Sequence, residues 1–299
     1  MQYLVSGFNG FVGQSLLNYI NLQKERELDI TFLTSSKSVH RYINLNETSL
    51  ESIDDFFNCN LKHGSFSTYI HAMSSPRSRG VSRFSDNLSG LGRALTACKE
   101  LGIKKFLYLS SGAVYEDSPE KKREIDPLKQ VSSLDNDYVK SKLISESWVK
   151  QYCRNNGIEY CILRLFTFGG KNIVTRLEFA LSAFIRSACV NNLISVQNPK
   201  LQRSYLHQND LAKSILSSAH VKKWNNTIVN VGSSEVISMA DLARKVALAT
   251  TAEVHFDNLS DRDSSLENLY VPEETEKFFN LSYDNTSIEK IIAEMVNQY

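Results

Sequence analysis

The sequence lacks the features that mark secreted, membrane-spanning or nucleic-acid-binding chains. Its 299 residues carry 34 basic and 33 acidic side chains, so the net charge is only +1 and no patch for nucleic acid or an anionic membrane is indicated. No apolar run reaches the roughly 18 residues that a membrane span needs. No leader precedes the first apolar segment, Tyr3-Leu4-Val5. We therefore expect a cytoplasmic protein that binds neither nucleic acid nor a membrane.

Cysteine is scarce and its spacing is uninformative. There are five cysteines, an odd number, and no two of them form a CxxC pair. The six histidines show neither HxxxH nor HExxH spacing. These absences argue against a disulfide framework and predict no metal site.

What is present is an alternation of short apolar runs with longer amphipathic stretches. The runs that predict strands are Tyr3–Val5, Ile30–Leu33, Tyr69–Ala72, Lys105–Ser110 and Glu159–Leu165. Helical spacing covers residues 87–101 and 138–154, and more weakly 177–190 and 238–250. This alternation is typical of an α/β fold with a Rossmann-type doubly wound parallel sheet.

Three glycines follow the first strand. The segment Gly7-Phe8-Asn9-Gly10-Phe11-Val12-Gly13 reads GxxGxxG between a strand and a helix. Gly7 allows the tight turn, Gly10 lets the backbone approach a pyrophosphate, and Gly13 lets the helix pack closely on the strand. The helix N-terminus then presents N–H groups to the phosphates. The motif predicts a bound nicotinamide dinucleotide.

The end of the second strand usually selects between the two nicotinamide cofactors. An acidic residue there binds the ribose hydroxyls of NAD, but this chain has Thr34-Ser35-Ser36-Lys37. Hydroxyls and a cation suit a 2′-phosphate. The sequence favours NADP(H), with NAD(H) as the alternative.

A second motif places two reactive side chains on one helix face. Tyr138 and Lys142 are four residues apart, as in YxxxK. A neighbouring ammonium lowers the pKa of a phenol, which can then exchange a proton with an alcohol. Alone, this spacing is more typical of a surface helix. Upstream, however, a buried strand runs into Ser110-Ser111-Gly112-Ala113-Val114-Tyr115.

Together these segments resemble the extended short-chain dehydrogenases/reductases, the epimerase/dehydratase family of nucleotide-sugar enzymes. The resemblance implies that Ser111 binds the reacting sugar oxygen, that Tyr138 is the acid/base, and that Lys142 holds the nicotinamide ribose. It also covers Arg203-Ser204-Tyr205-Leu206-His207, whose arginine contacts the substrate diphosphate in the family.

The resemblance implies contacts for further residues. Those implied for the cofactor are Gly7, Asn9, Gly10, Phe11, Val12, Gly13, Ser35, Ser36, Lys37, Ala72, Tyr138 and Lys142. Those implied for the substrate are Ser111, Gly112, Thr167 and Arg203. We assign 1–167 to the NAD(P)-binding domain, with returning segments around 203–235, and 168–299 mainly to a smaller substrate-binding lobe.

The chain departs from the family pattern at a few positions. Thr167 and Gly170 stand where the family usually has asparagine and proline. Gly112-Ala113 stands where the sugar 4,6-dehydratases carry an Asp-Glu pair, which argues against a dehydratase.

The leading hypothesis is NADPH-dependent reduction of a nucleotide-linked 4-keto-6-deoxyhexose at C4, as in the nucleotide-sugar 4-ketoreductases such as the abequose and paratose synthases. The alternative is an NAD-dependent nucleotide-sugar 4-epimerase. A non-catalytic NADP-sensing protein is a third hypothesis, disfavoured because both Tyr138 and Lys142 are present.

The resemblance also implies a homodimer. In the family, the helix near 87–101 and the YxxxK helix form the interface. The apolar residues offered to it are Leu88, Leu91, Leu95, Trp148 and Tyr152, unless the core of a single chain buries them.

Overall fold

A computed structural model describes residues 2–23, 29–34, 50–52, 63–74, 83–134, 136–173, 177–256, 269–273 and 286–299. The chain divides into two compact units. The first comprises residues 1–114, 129–164 and 212–229, and the second comprises residues 115–128, 165–211 and 230–299. Each unit is therefore assembled from three separate stretches of chain.

Fourteen strands are formed within the described ranges. In chain order they are β1 (Gln2–Ser6), β2 (Asp29–Thr34), β3 (Leu50–Ser52), β4 (Thr68–His71), β5 (Lys105–Ser111), β6 (Glu159–Leu165), β7 (Phe168–Gly169), β8 (Leu193–Val196), β9 (Gln202–Arg203), β10 (Leu206–His207), β11 (Thr227–Val231), β12 (Ile237–Ser238), β13 (Glu253–Phe256) and β14 (Leu269–Tyr270).

Seven α-helices are formed within the same ranges. They are α1 (Phe11–Gln23), α2 (Arg83–Glu100), α3 (Asp137–Asn155), α4 (Ala180–Asn191), α5 (Gln208–His220), α6 (Met239–Thr250) and α7 (Ile288–Val296). Short 3₁₀ helices cover Gly112–Val114, Val131–Ser133 and Lys171–Ile173. In this described part of the chain, no helix combines the length and the apolar character needed to cross a membrane.

One large sheet organises the first unit. Its strands lie in the order β11-β6-β5-β4-β1-β2-β3. The pairs β2–β3, β1–β2, β1–β4 and β4–β5 are parallel. The order reverses at β1, which lies between β2 and β4. The predicted doubly wound sheet is confirmed, and sheets of this kind bind ligands outside the carboxyl ends of the strands at such a reversal.

The second unit contains only small sheets. β10 pairs in parallel with β7, and β13 with β8. β9 pairs antiparallel with β12 and parallel with β14. Helices α4 and α6 pack together, and each also packs against α7. Five of these strands have only two residues, too few to show an apolar periodicity in the sequence.

Helices α2 and α3 pack together over a core that includes side chains of the large sheet. Leu91 and Leu95 of α2 are fully buried in this core, beside Phe106 of β5. Their assignment to a dimer surface is therefore wrong, because the core of one chain already covers them. Trp148 and Tyr152 of α3 pack against the same core but are only partly buried.

Two helix starts follow from local sequence. Ser238 caps α6: its hydroxyl accepts the Asp241 N–H at 3.0 Å and donates to the Asp241 carboxylate at 2.7 Å. The Asn136 side chain caps α3 by accepting the N–H groups of Tyr138 and Val139. This cap fixes the first turn of the helix that carries Tyr138.

The burial of Leu95 allows a test of our conclusion that the core of a single chain covers this face of α2. Leu95→Ala should lower the free energy of unfolding by about 2–5 kcal/mol, because it leaves a cavity in a packed core. Leu88→Ala, at a half-buried position on the same helix, should cost less. Chemical denaturation followed by circular dichroism measures both. Equal losses for the two variants would contradict the assignment.

Candidate active site

The loop between β1 and α1 fits closely against the end of β4. Gly7 has a φ of +94°, a left-handed conformation that glycine adopts readily. A Cβ atom on Gly7 would lie 2.6 Å from the Ala72 carbonyl carbon, and one on Gly13 would lie 2.5 Å from the Gly7 oxygen. A side chain at either position would force the backbone apart. The two glycines therefore hold the start of α1 against β1 and β4.

The start of α1 also has the chemistry that a pyrophosphate needs. The Gly10 N–H donates to the Gly7 carbonyl and the Gln14 N–H donates to the Gly10 carbonyl, each at 3.0 Å. Helix N-termini attract phosphates through free N–H groups and the positive end of the helix dipole. The loop thus fits a dinucleotide. The cofactor contacts assigned to Asn9, Phe11 and Val12 stay predictions.

Strand β5 delivers Ser111 to the carboxyl edge of the sheet. Ser111 is the last residue of the strand and is buried. Its hydroxyl oxygen accepts the Ala113 N–H at 3.2 Å, within the short helix that begins at Gly112. β4 ends beside it in the sheet, followed by Ala72, whose N–H donates to the Ser6 carbonyl at 3.0 Å. The residues predicted at the ends of β1, β4 and β5 therefore lie on one edge of the sheet.

Helix α3 brings Lys142 to the same edge. The Lys142 ammonium is buried and donates to the Leu109 carbonyl of β5 at 2.7 Å. It lies 4.9 Å from the centre of the Tyr108 ring and 5.8 Å from the centre of the Tyr138 ring. Tyr138 itself is half-buried. The predicted pairing of Tyr138 with Lys142 on one helix face is thus present in the structure.

Burial shifts the pKa of Lys142 and of its neighbours His71 and Tyr108. Burial lowers the pKa of Lys142 from 10.5 to about 8, although the negative charge of Glu146 acts in the opposite direction. Burial and the neighbouring Lys142 charge also lower the pKa of His71 to about 3, so its imidazole is neutral at pH 7. Burial raises the pKa of Tyr108, which keeps that phenol neutral as well.

Two predicted substrate residues lie in the second unit. The Arg203 guanidinium lies 5.2 Å from the centre of the Tyr270 ring and donates to the Gln202 carbonyl at 2.7 Å. Burial lowers the pKa of Arg203, but an arginine remains cationic in proteins. Thr167 is half-buried, and its carbonyl accepts the Leu206 N–H at 3.0 Å. The diphosphate contacts of Thr167 and Arg203 stay predictions.

Gly170 explains one departure from the family pattern. Its φ is +147°, which a proline cannot adopt because its ring fixes φ near −65°. The side chain of Gln208 lies against this glycine, 2.5 Å from where a Cβ atom would stand. The side-chain oxygen of Gln208, Oε1, accepts the Asn172 N–H at 3.1 Å and so holds the turn.

The residues predicted to select the cofactor cannot be placed. Ser35, Ser36 and Lys37, on which the NADP(H) preference rests, lie outside the described residues. Within the described ranges, no cluster of three or more potential metal ligands occurs.

Sequence reasoning missed the partners of two buried polar groups. His71 Nδ1 lies 2.9 Å from the Ser6 hydroxyl oxygen, which ties β4 to β1. Glu146 forms an ion pair with Arg164 at 2.8 Å, which ties α3 to β6. Spacing along the chain carries no signal for either pair, because each joins separate elements.

With this geometry in place, the comparison with known families is decisive. A family model described as the NAD dependent epimerase/dehydratase family matches residues 3–232. This chain belongs to the NAD-dependent epimerase/dehydratase family. Its members are extended short-chain dehydrogenases/reductases, so the chain is an oxidoreductase-type enzyme.

Individual members of the epimerase/dehydratase family are distant. A Methanocaldococcus jannaschii protein provisionally named UDP-glucose 4-epimerase is 27% identical over 167 residues, which cover 52% of this chain and only 50% of that protein. YtcB of Bacillus subtilis, an uncharacterized UDP-glucose epimerase, is 24% identical over 279 residues, covering 86% of this chain and 85% of YtcB. The solved structure of MoeE5 with UDP-glucose and NAD aligns with a TM-score of 0.77 at 18% identity, covering 99% of this chain and 98% of MoeE5. That likeness shows the shared fold.

The buried ammonium makes stability depend on pH in a defined way. The folded pKa of Lys142, about 8, lies below the unfolded value of 10.5. Between these values the unfolded chain binds more protons, so the wild type should gain stability with rising pH relative to Lys142→Met. The full gain is about 3 kcal/mol. Urea unfolding of both proteins from about pH 7 to 10 measures it, and parallel curves would contradict the burial of the charge.

Proposed function

We propose that this enzyme epimerises a nucleotide-diphosphate sugar at C4 with a bound nicotinamide cofactor. The observation that carries the proposal is the buried Lys142 ammonium, which lies 5.8 Å from the centre of the Tyr138 ring and is bonded to the strand that ends in Ser111. This arrangement suits proton exchange at the oxygen of a carbon that exchanges a hydride. The names of the two relatives, both UDP-glucose epimerases, favour epimerisation over net reduction.

The described loop residues would hold the cofactor. Gly7, Gly10 and Gly13 open the backbone at the start of α1 to a pyrophosphate, and Ala72 lies where the end of β4 meets that loop. A nicotinamide held there would supply the hydride chemistry at the sugar carbon. MoeE5, which has the same fold, was solved with NAD. We therefore assign NAD to the epimerase.

The protein groups handle the proton on the sugar oxygen. The Tyr138 phenolate, stabilised by the Lys142 cation, would accept the proton of the C4 hydroxyl as the hydride leaves the carbon. The resulting phenol would return that proton to the oxygen when the hydride comes back. The Ser111 hydroxyl donates a hydrogen bond to the same oxygen, at which negative charge develops. Gly112, at the start of the next turn, gives the sugar ring access to that hydroxyl.

Arg203 and Thr167 are the candidates for contacts with the substrate diphosphate. Arg203 offers a planar guanidinium that matches phosphate oxygens in pairs. Its position over the Tyr270 ring restricts the side chain before any ligand arrives. Thr167 takes the place of an asparagine and can offer one hydroxyl donor. UDP-glucose is the ligand named with MoeE5, and we take a UDP-sugar as the first substrate to test.

A second candidate function rests on the residues after β2. The segment Thr34-Ser35-Ser36-Lys37 contains hydroxyls and a cation but no carboxylate. Such residues suit NADP(H) and therefore the NADPH-dependent reduction of a 4-keto-6-deoxyhexose. Either reaction uses Ser111, Tyr138 and Lys142 in the same roles.

We further propose that the enzyme is a homodimer, with α2 and α3 at the interface. Leu88, Trp148 and Tyr152 support this proposal because they keep apolar surface outside the core. Light scattering at micromolar concentration measures the mass, and a stable monomer would oppose the proposal. A cytoplasmic location stays a prediction.

Catalysis should depend on the Tyr138 hydroxyl. Tyr138→Phe keeps the ring but removes the transferable proton, so turnover should fall by about 10²-fold or more with little change in folding. Tyr152→Phe is the matched control, since it removes a hydroxyl from the same helix away from the candidate site. Initial rates with saturating substrate measure the effect. Near-wild-type turnover of Tyr138→Phe would refute its role.

The epimerase and the reductase differ in their use of cofactor. The native enzyme should interconvert UDP-glucose and UDP-galactose, or their N-acetyl counterparts, without added reduced cofactor. The parallel assay supplies NADPH with a CDP- or dTDP-4-keto-6-deoxyhexose and follows the absorbance of the reduced nicotinamide. We expect no stoichiometric oxidation there.

Stoichiometric NADPH oxidation without epimerisation would establish the reductase instead. Calorimetric titration of cofactor-stripped enzyme completes the comparison. Tighter binding of NADPH than of NADH would agree with the reductase and would contradict the assignment of NAD.

A further inference from the structure

The buried carboxylate of Glu146 joins three elements, α3, β5 and β6, next to the candidate catalytic residues. Glu146 of α3 and Arg164 of β6 are each 1% exposed. Arg164 Nε donates to Glu146 Oε1 at 3.0 Å, and Arg164 Nη2 donates to Oε2 at 2.8 Å. The Ser110 hydroxyl of β5 donates to Oε1 at 2.6 Å. The carboxylate thus receives a two-pronged ion pair and a short hydrogen bond.

This network is placed to act on the site. Ser110 immediately precedes Ser111, and Glu146 lies one helical turn after Lys142. The network therefore ties the strand that carries Ser111 to the helix that carries Tyr138 and Lys142. A buried ion pair is weak evidence for stability as such, because apolar residues of similar volume often replace it without loss. The position of this ion pair, between the Ser111 strand and α3, indicates a role other than stability.

The surroundings of Lys142 show what the carboxylate contributes. From β4, Lys142 faces His71, and from β5 it faces Tyr108, both of which are neutral at pH 7. The two short 3₁₀ helices packed on α3 have no charged side chain. The charged side chains of α2 at 86, 93, 99 and 100 are exposed to solvent. Glu146 is the group that raises the pKa of Lys142 against the effect of burial.

Two further cations lie around the carboxylate itself. Arg164 forms the ion pair, and the Lys150 ammonium lies 3.9 Å from Glu146 Oε2 at a partly exposed position. Loss of the Glu146 charge alone would remove the carboxylate that forms the ion pair with the buried Arg164. Any test of Glu146 must therefore neutralise Arg164 as well.

We propose that Glu146, fixed by Arg164 and Ser110, is a positioning residue that keeps Lys142 cationic and holds the Ser111 strand against α3. This proposal rests on the proposed function, because that function gives the Lys142 charge its roles at the cofactor ribose and at Tyr138.

The test removes the charge but preserves the shape. In Glu146→Gln/Arg164→Met, the glutamine oxygen can still accept from Ser110, and the guanidinium that faced the carboxylate is removed together with it. Affinity for NADH by fluorescence and turnover of the sugar nucleotide are measured from about pH 6 to 10. In the wild type we expect affinity and turnover to decline as the pH rises and Lys142 loses its proton. In the variant this alkaline decline should begin at least about one pH unit lower than in the wild type. At a fixed pH within the decline, the affinity and turnover of the variant should then be about tenfold lower than those of the wild type.

Two further variants separate charge from geometry. Ser110→Ala keeps the ion pair, so turnover should fall several-fold while the pH of the decline stays at the wild-type value. Glu100→Gln removes one exposed carboxylate from α2 and should change neither quantity. If Glu146→Gln/Arg164→Met does not fold by circular dichroism, the apolar pair Glu146→Met/Arg164→Leu takes its place, with the same expected shift.

The outcomes are distinct. A loss of affinity and turnover by the same factor at every pH would show a merely structural role and overturn the proposal, as would an unchanged profile. Wild-type enzyme that binds NADH but turns over no sugar nucleotide would sink the proposed function, whereas the NADH curves would still decide the role of Glu146. Wild-type enzyme that binds neither NADH nor NADPH would overturn both.

Discussion

A buried ammonium group is the constraint on which the candidate site depends. Lys142 has lost almost all contact with water, and an uncompensated charge in such a place is costly. The Leu109 carbonyl, the faces of two tyrosine rings and the nearby Glu146 carboxylate replace its hydration. Each of these groups sits at the carboxyl end of β5 or on α3. The sheet therefore sets where catalysis can take place.

The regular elements of the first unit were predictable because their patterns are local. β6 runs over Glu159–Leu165, the range that the sequence indicated, since a buried parallel strand is a nearly continuous apolar run. Later elements were harder. α4 begins at Ala180 rather than Leu177, and it ends where Asn192 takes a left-handed φ of 54°. α7 was not foreseen at all. The strands β7, β9, β10, β12 and β14 have only two residues each, so no periodicity can reveal them.

The candidate site shows the same division between local and distant information. The four-residue spacing of Tyr138 and Lys142 is a property of any helix, and it predicted their proximity. The pairs Ser6–His71 and Glu146–Arg164 join different elements, and only the folded chain brings them together. The assignment of Leu91 and Leu95 to a dimer surface was wrong for a related reason. Helical apolar spacing marks Leu91 and Leu95 as covered, but it does not tell whether the cover is the same chain or another.

The turn at Gly170 has a consequence for how this sequence can diverge. Gln208 occupies the space beside the glycine, and the left-handed backbone there excludes the proline that the family usually has. A return to proline would require the turn to change its backbone and the glutamine to move in the same step. The backbone at Gly170 and the side chain of Gln208 thus constrain each other physically. A mutational scan that alters one residue at a time would score both as intolerant, although a paired exchange could restore a functional turn.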